Sequence, residues 1–297
     1  MARRRSFSQK ETLPFEVPPS KSVYTPTGSK KGFTLPVWTH NKAKLVERYL
    51  GYFQIITKHG TYIDGFAGPQ WPDNPDSWAA KLAVEMEPKW FRHFHLFDND
   101  PAQVRLLREL PAAQPDRDIR VYPLDFNRGI QSLLDTGDIG EKEAVFCLVD
   151  QRTFECDWET LETIARYQRP RRRKIELFYF LPNSWFGRSV AAMHKDTRME
   201  TLSRWWGRSD WQDFVALGRL SRCQAFAERL RTDLDYAFVD PYPIRAQDDA
   251  GSIMYYMLHA SDHPDAPKLM ARAYRNAVLP PEARNQLSLG FPGSPAS

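Results

Sequence analysis

The stretch Thr61-Tyr62-Ile63-Asp64-Gly65-Phe66-Ala67-Gly68-Pro69-Gln70 decides how this chain is read. A short β-prone run ends in an acid, and small residues follow at once. Glycine and alanine at a strand end let the backbone pass close to a ligand, and an acid there accepts hydrogen bonds from a cationic or hydroxyl-bearing group. A lone Gly-x-x-Gly turn is a weak signal, but its setting sharpens it. Residues 92–98, 120–124, 144–150 and 175–181 form four more short β-rich or apolar runs, separated by segments long enough for helices. This spacing predicts βαβ units and a parallel sheet.

The strand ends carry a pattern of their own. Asp64, Asp98 and Asp150 close three of the runs, and Asp125 follows a fourth. Ligands of open α/β sheets sit outside the carboxyl edge, so four acids there suit cofactor work better than packing. Asp98 falls where an acid grips a ribose diol. Leu124-Asp125-Phe126-Asn127 suits contact with an adenine amino group beside an aromatic face. Gly65, Phe66 and Gly68 complete the candidate cofactor loop.

Outward from this centre, Thr39 is the expected N-cap of a helix running to Thr57, with Leu45, Val46, Tyr49, Tyr52, Phe53 and Ile56 at helical spacing. Residues 1–37, rich in Pro, Ser, Thr and Lys, read as a basic, flexible arm, and 280–297 as a flexible tail. Between them, 38–279 form one α/β domain with a helical insertion over about 190–234. Trp205, Trp206, Trp211 and Phe214 lie in that insertion, and near-helical tryptophans more often fill a core than stack on bases. Two late strands are expected at 236–239 and 253–260, then a closing helix over 267–277. Asp240-Pro241-Tyr242-Pro243 reads as packing and a turn, away from the chemistry. His93 and His95, two residues apart on a strand, share one sheet face and read as a satisfied or exposed pair rather than a metal site.

The chain has 297 residues, 42% apolar and 26% charged, which fits a globular protein and excludes fibrous and collagenous classes. Its longest apolar runs fall far short of a membrane span. No apolar stretch follows Arg3, Arg4 and Arg5, and Cys147, Cys156 and Cys223 are widely spaced, so a reduced, cytoplasmic protein is expected. No Cys-x-x-Cys pair supports a metal site. The net charge of +4 hides two basic segments. Residues 1–31 hold seven Lys/Arg against two Glu, and 166–174 hold six Lys/Arg and no acid, so the rest of the chain is net acidic. Arg171, Arg172, Arg173 and Lys174 read equally as a solvated loop or as one that meets nucleic-acid phosphate.

The motifs Asp64-Gly65-Phe66-Ala67-Gly68-Pro69, Trp158-Glu159-Thr160-Leu161, Leu181-Pro182, Arg188 and Trp206-Gly207-Arg208-Ser209-Asp210-Trp211 resemble the three-Cys-motif partner proteins. So do Trp38, Lys44 and Tyr49-Leu50 in the first helix, Tyr255-Tyr256-Met257-Leu258-His259-Ala260-Ser261, and Lys268-Leu269-Met270. The resemblance covers roughly residues 37–277 through the order and spacing of short motifs. It implies a Rossmann-like class I methyltransferase fold with a mostly parallel seven-stranded sheet, S-adenosylmethionine as cofactor, and a partner protein that carries the three cysteines. It places Asp64 and Gly68 by the methionine end of the cofactor, Asp98 on the ribose, Asp125 on the adenine and Asp150 at the reaction centre.

Two departures from the family pattern matter. Gln70 stands where the family usually has glycine. After the fourth strand the chain reads Asp150-Gln151-Arg152-Thr153-Phe154 where the family tends to have Asp-Pro-Phe-Gly. Asp150 can still accept a hydrogen bond from a target amine and Phe154 can still stack on a base, without the proline that shapes the turn. Two readings stay open: a methyltransferase acting with a partner on nucleic acid, and a catalytically silent scaffold that holds the three-cysteine protein or a nucleic acid.

Overall fold

Leu45, Val46, Tyr49, Leu50 and Phe53 fall on one face of helix α1, Val37–Thr57, and all are buried there. In this computed structural model, which describes residues 37–140, 143–167, 174–245 and 253–278, α1 leads directly into the sheet. Most of the expected arm, the tail, and Arg171, Arg172 and Arg173 lie outside the described residues.

Strand β1, Gly60–Asp64, is followed by α2, Ala79–Glu85, β2, Phe91–Phe97, and the short helices α3, Pro101–Leu107, and α4, Leu110–Ala113. Then come β3, Asp118–Tyr122, α5, Phe126–Asp135, β4, Val145–Val149, α6, Trp158–Arg166, and β5, Glu176–Pro182. Four helices fill the expected insertion: α7, Phe186–Ala192, α8, Lys195–Trp206, α9, Trp211–Ala216, and α10, Arg219–Thr232. The chain closes with β6, Phe238–Arg245, β7, Ile253–Ser261, and α11, Ala266–Val278.

The strands form one seven-stranded sheet in the order β3-β2-β1-β4-β5-β7-β6. Strands β1 to β5 are mutually parallel, while β7 runs antiparallel to both β5 and β6. Every residue of β1, β4 and β5 is buried, as expected of strands covered on both faces. One face packs on α1, α2 and α11 through Tyr49, Phe53, Val84, Phe146 and Met270; the other packs on α5, α6 and the insertion through Ile130, Leu161, Trp205 and Phe226. Among the described residues, no helix is long and apolar enough to cross a membrane.

Two strand expectations need correction. β3 begins two residues earlier than its apolar pattern suggested, because Asp118 pairs with His93 in register with β2. β6 does not stop at Val239: Asp240-Pro241-Tyr242-Pro243 continues it, with Tyr242 buried. Prolines are tolerated there because β6 is an edge strand with a free side that needs no N–H donors.

The packing expectations hold for the aromatic insertion. Trp205, Trp206 and Phe214 are buried, and the Arg229 guanidinium lies 3.6 Å from the Trp158 ring centre and 4.2 Å from that of Trp206. His95 is buried with its Nδ1 2.9 Å from the Tyr122 hydroxyl, and His93 faces Asp118 at 3.3 Å. Burial pushes His95 down to about 4, so it is neutral at physiological pH.

Candidate functional site at the carboxyl edge

Chain progression from β1 turns one way to β2 and β3, and the other way to β4 and β5. The switch point therefore lies between β1 and β4, where open α/β sheets bind ligands. Asp64 is the last residue of β1 and Asp150 directly follows β4, so these two acids flank that point.

Asp64 is 1% exposed. The Tyr62 hydroxyl donates to its Oδ2 at 2.8 Å and the Phe66 amide to its Oδ1 at 3.1 Å. Burial pushes its carboxyl up to about 7, with Asp150 acting in the same direction, against the Tyr62 and Phe66 hydrogen bonds and Lys42. Asp150 is also pushed up by burial, and Lys42 draws it back. The Lys42 ammonium donates to Asp150 Oδ2 at 2.5 Å and sits 4.8 Å from the Phe180 ring centre. The two side chains are only 6% and 12% exposed, so this is a largely buried ion pair.

The pair forms one wall of a cleft of about 220 Å³, lined also by Gln70, Arg152, Phe180, Pro182, Trp185 and Tyr255. On the β1 side, Lys42, Asp150 and Gln70 also border a void of about 10 Å³ beneath the loop from Phe66 to Gln70. This loop lies tight on its neighbours. A Cβ on Gly65 would meet the Phe126 ring at 2.6 Å, and one on Gly68 would meet Asp98 Oδ2 at 2.4 Å. Only glycine permits that approach.

Asp98, just beyond β2, accepts from the Gly68 amide at 3.0 Å and the Asp100 amide at 2.9 Å. Its carboxylate is thereby fixed in direction and keeps lone pairs for a hydroxyl-bearing ligand. Asp125 caps α5 through the Asn127 amide at 3.0 Å and remains half-buried. The aromatic face expected from Phe126 is not presented here, because that ring is 2% exposed and packs edge-on against Phe66 and Phe97. Leu124, 38% exposed, supplies the apolar surface beside Asp125 instead. Asn127 spends its side chain on Glu155 O, the Asp157 amide and Thr160, which ties α5 to the start of α6.

The turn after Asp150 is shaped without proline. Gln151 is 3% exposed; its Oε1 accepts from the Cys156 amide at 2.9 Å, and its Nε2 donates to the Tyr179 hydroxyl and to Phe180 O. This folds Phe154 inward, where it is 5% exposed and meets Phe186 and Trp205 edge-on at 5.2 and 5.0 Å. The expected stacking ring thus belongs to the core, and Trp185 and Tyr255 take its place on the cleft wall. Trp185 is held by its Nε1 donating to Arg152 O at 3.3 Å.

Lys42, Trp185 and Tyr255 were not singled out as site residues from the sequence. Lys42 left a trace: it occupies the apolar stripe of α1, at the spacing of Leu45, Val46 and Tyr49, where a lysine needs a partner. Lys44, which carried part of the family resemblance, is exposed. Lys174, read from the sequence as part of a loop either solvated or phosphate-facing, instead turns inward and donates to Leu234 O at 2.9 Å and to Asp235 O.

At the amino edge of the same sheet lies a larger cavity of about 470 Å³, lined in part by Tyr49, Phe53, Ile56, Glu143, Glu176 and Leu269. At its floor, Glu176 accepts from Tyr49, from His259 at 2.8 Å and from Ser261 at 2.8 Å. Although burial pushes Glu176 up, these donors outweigh it and hold the carboxyl below its ordinary value.

No protein-family model and no curated protein matches the sequence. Solved structures resemble the fold at low identity. A small RNA methyltransferase, HEN1, is 10% identical with a TM-score of 0.47, over 81% of this chain and 28% of that one. The CurJ carbon methyltransferase is 12% identical with a TM-score of 0.46, over 74% of this chain and 54% of that one. The putative methyltransferase yhhF from Escherichia coli is 11% identical with a TM-score of 0.37, over 73% and 84%. The chain thus spans well under a third of the first and about half of the second. The mostly parallel seven-stranded sheet, with β7 alone reversed, is the Rossmann-like α/β arrangement expected from the sequence.

Proposed function

We propose that this chain is an S-adenosylmethionine-dependent methyltransferase whose cofactor lies along the carboxyl edge of β1 and β2, with the acceptor in the cleft beside Asp150. The observation that carries this reading is the convergence of Asp64 and Asp150 on the switch point, with Asp98 fixed one strand away by the Gly68 amide. Asp98 would hold the ribose hydroxyls, Asp125 and Leu124 the adenine, and the loop from Gly65 to Gln70 the methionine end. The cofactor would supply an electrophilic methyl group. The protein's own part is to position the acceptor against Phe180, Trp185 and Tyr255 and to exclude water from the Asp64–Lys42–Asp150 cluster.

Calorimetric titration with S-adenosylmethionine tests this reading. Asp98→Ala is expected to weaken binding about tenfold to a hundredfold, as loss of hydrogen bonds to a charged group does. Unchanged affinity in a variant that still melts cooperatively removes Asp98 from the site.

The finer reading, action on nucleic acid together with a three-cysteine partner, is supported by the family resemblance and by the positive charge concentrated in residues 166–174. Oligonucleotide affinity should then fall steeply between 50 and 200 mM salt, and a flat response removes the nucleic acid. The scaffold reading draws on one observation, the burial of Phe154 in the core. It becomes primary if no cofactor binds.

A further inference from the structure

On the methyltransferase reading above, the Lys42–Asp150 pair places a positive charge beside the position where the cofactor's sulfonium would lie. Lys42 reaches in from α1, two turns before Tyr49, and its ammonium is the cation that meets Asp150 at 2.5 Å. The surroundings offer little else to a positive charge. Asp64 faces the pair from β1 and is held by the Tyr62 hydroxyl and the Phe66 amide. Arg152 and Glu155, on the turn after β4, act on Asp150 in opposite directions. Tyr255 faces it from β7, and Phe180 presents its ring to Lys42 from β5.

With Asp150 neutralised by Lys42 and Asp64 partly protonated near pH 7, the cluster carries little net negative charge. An incoming cation gains nothing from Asp150 until Lys42 withdraws. A sulfonium differs from a thioether by one positive charge on one atom, so the position of Lys42 sets how strongly the site tells the two apart.

We propose that Lys42 is a specificity-determining residue for the cofactor: as the resident counter-ion of Asp150 it competes with the sulfonium of S-adenosylmethionine and narrows the site's preference for that cation over the neutral thioether S-adenosylhomocysteine. This rests on the methyltransferase reading above. Such a site does not gain its affinity from attraction between an open acid and the methyl donor. It gives up discrimination against its own product in exchange for a satisfied acid in the empty state.

The test is calorimetry of both ligands against the unaltered protein, Lys42→Met and Lys42→Arg, at pH 8.5 and pH 6. Lys42→Met is close in length and leaves Asp150 without a counter-ion. At pH 8.5, above the Asp64 value of about 7, it should raise the preference for S-adenosylmethionine over S-adenosylhomocysteine about tenfold. At pH 6, below the Asp64 value of about 7, that carboxyl is mostly protonated and the gain should shrink. Lys42→Arg keeps the charge and should keep the ratio of the unaltered protein. A role in packing alone would change both affinities together and give no pH dependence in their ratio, and that result overturns the proposal while leaving the cofactor site standing. Binding of neither ligand to the unaltered protein overturns both readings. A thermal melt of each variant confirms that the ratios compare folded proteins.

Discussion

Two largely buried acids stand at opposite ends of the same sheet, and α1 reaches both. Asp150, beyond the carboxyl edge of β4, has the Lys42 ammonium as its side-chain donor, borders an open cleft and is pushed above its ordinary pKa by burial. Glu176, at the amino edge of β5, accepts from Tyr49, His259 and Ser261 and is held below its ordinary value. Lys42 and Tyr49 are seven residues apart, two helical turns or about 10 Å along α1. One helix face thus serves both acids, but one acid is saturated with donors and the other is left with capacity for a ligand. A charge paired and fully hydrogen-bonded belongs to the structure; a charge raised in pKa beside a cleft is poised for chemistry.

Removing the saturated acid is the harshest way to probe that contrast. Glu176→Ala strips His259, Tyr49 and Ser261 of their common acceptor, and should cost about 3–5 kcal/mol of unfolding free energy. Urea denaturation reads this directly, and a loss below about 1 kcal/mol would mean that the network is not structural. Tyr49→Phe removes one of three donors to a charged group and should cost about 1.5–3 kcal/mol in the same assay.

A further contrast lies in pH dependence, and its sign separates the two ends. The folded carboxyl of Asp64 lies at about 7, against an ordinary 3.8, so the folded chain binds its proton more tightly than the unfolded chain. Its contribution to stability is fully present below about pH 4 and is lost as pH rises through 7, by at most about 1.4 kcal/mol per pH unit. Glu176 is depressed, so its contribution is present above its ordinary pKa and is lost as pH falls into the acid range. Asp64→Asn should therefore flatten the decline of unfolding free energy between pH 4 and 7 and leave the acid limb unchanged. Equal slopes in variant and unaltered protein would contradict the raised carboxyl.

Much of the fold was legible because its signals are local. Continuous apolar runs mark strands buried on both faces, and acids at their ends mark the carboxyl edge; Asp64, Asp98 and Asp150 stand where those runs placed them. The turn after Asp150 shows where local reading fails. The missing proline suggested a changed shape, yet Gln151 restores order through the Cys156 amide five residues on and through Tyr179 and Phe180, which only the packing of β5 beside β4 brings near. Phe154 and Phe126 were expected to offer their rings to a ligand because each follows an acid at a strand end. Sequence position fixes which strand end an aromatic occupies, not which side of the turn it faces, and both rings went into the core.

What the sequence determined by itself is the alternation of strands and helices, the parallel sheet and the line of acids on its edge, since these follow from periodicity and chain order. What only the tertiary structure decided is which acids are answered and by whom. Lys42 meets Asp150 across 108 residues and Tyr49 meets Glu176 across 127. Such pairings depend on how α1 lies across the sheet, a packing outcome set by the shapes of many buried side chains together and carried by no single stretch of chain.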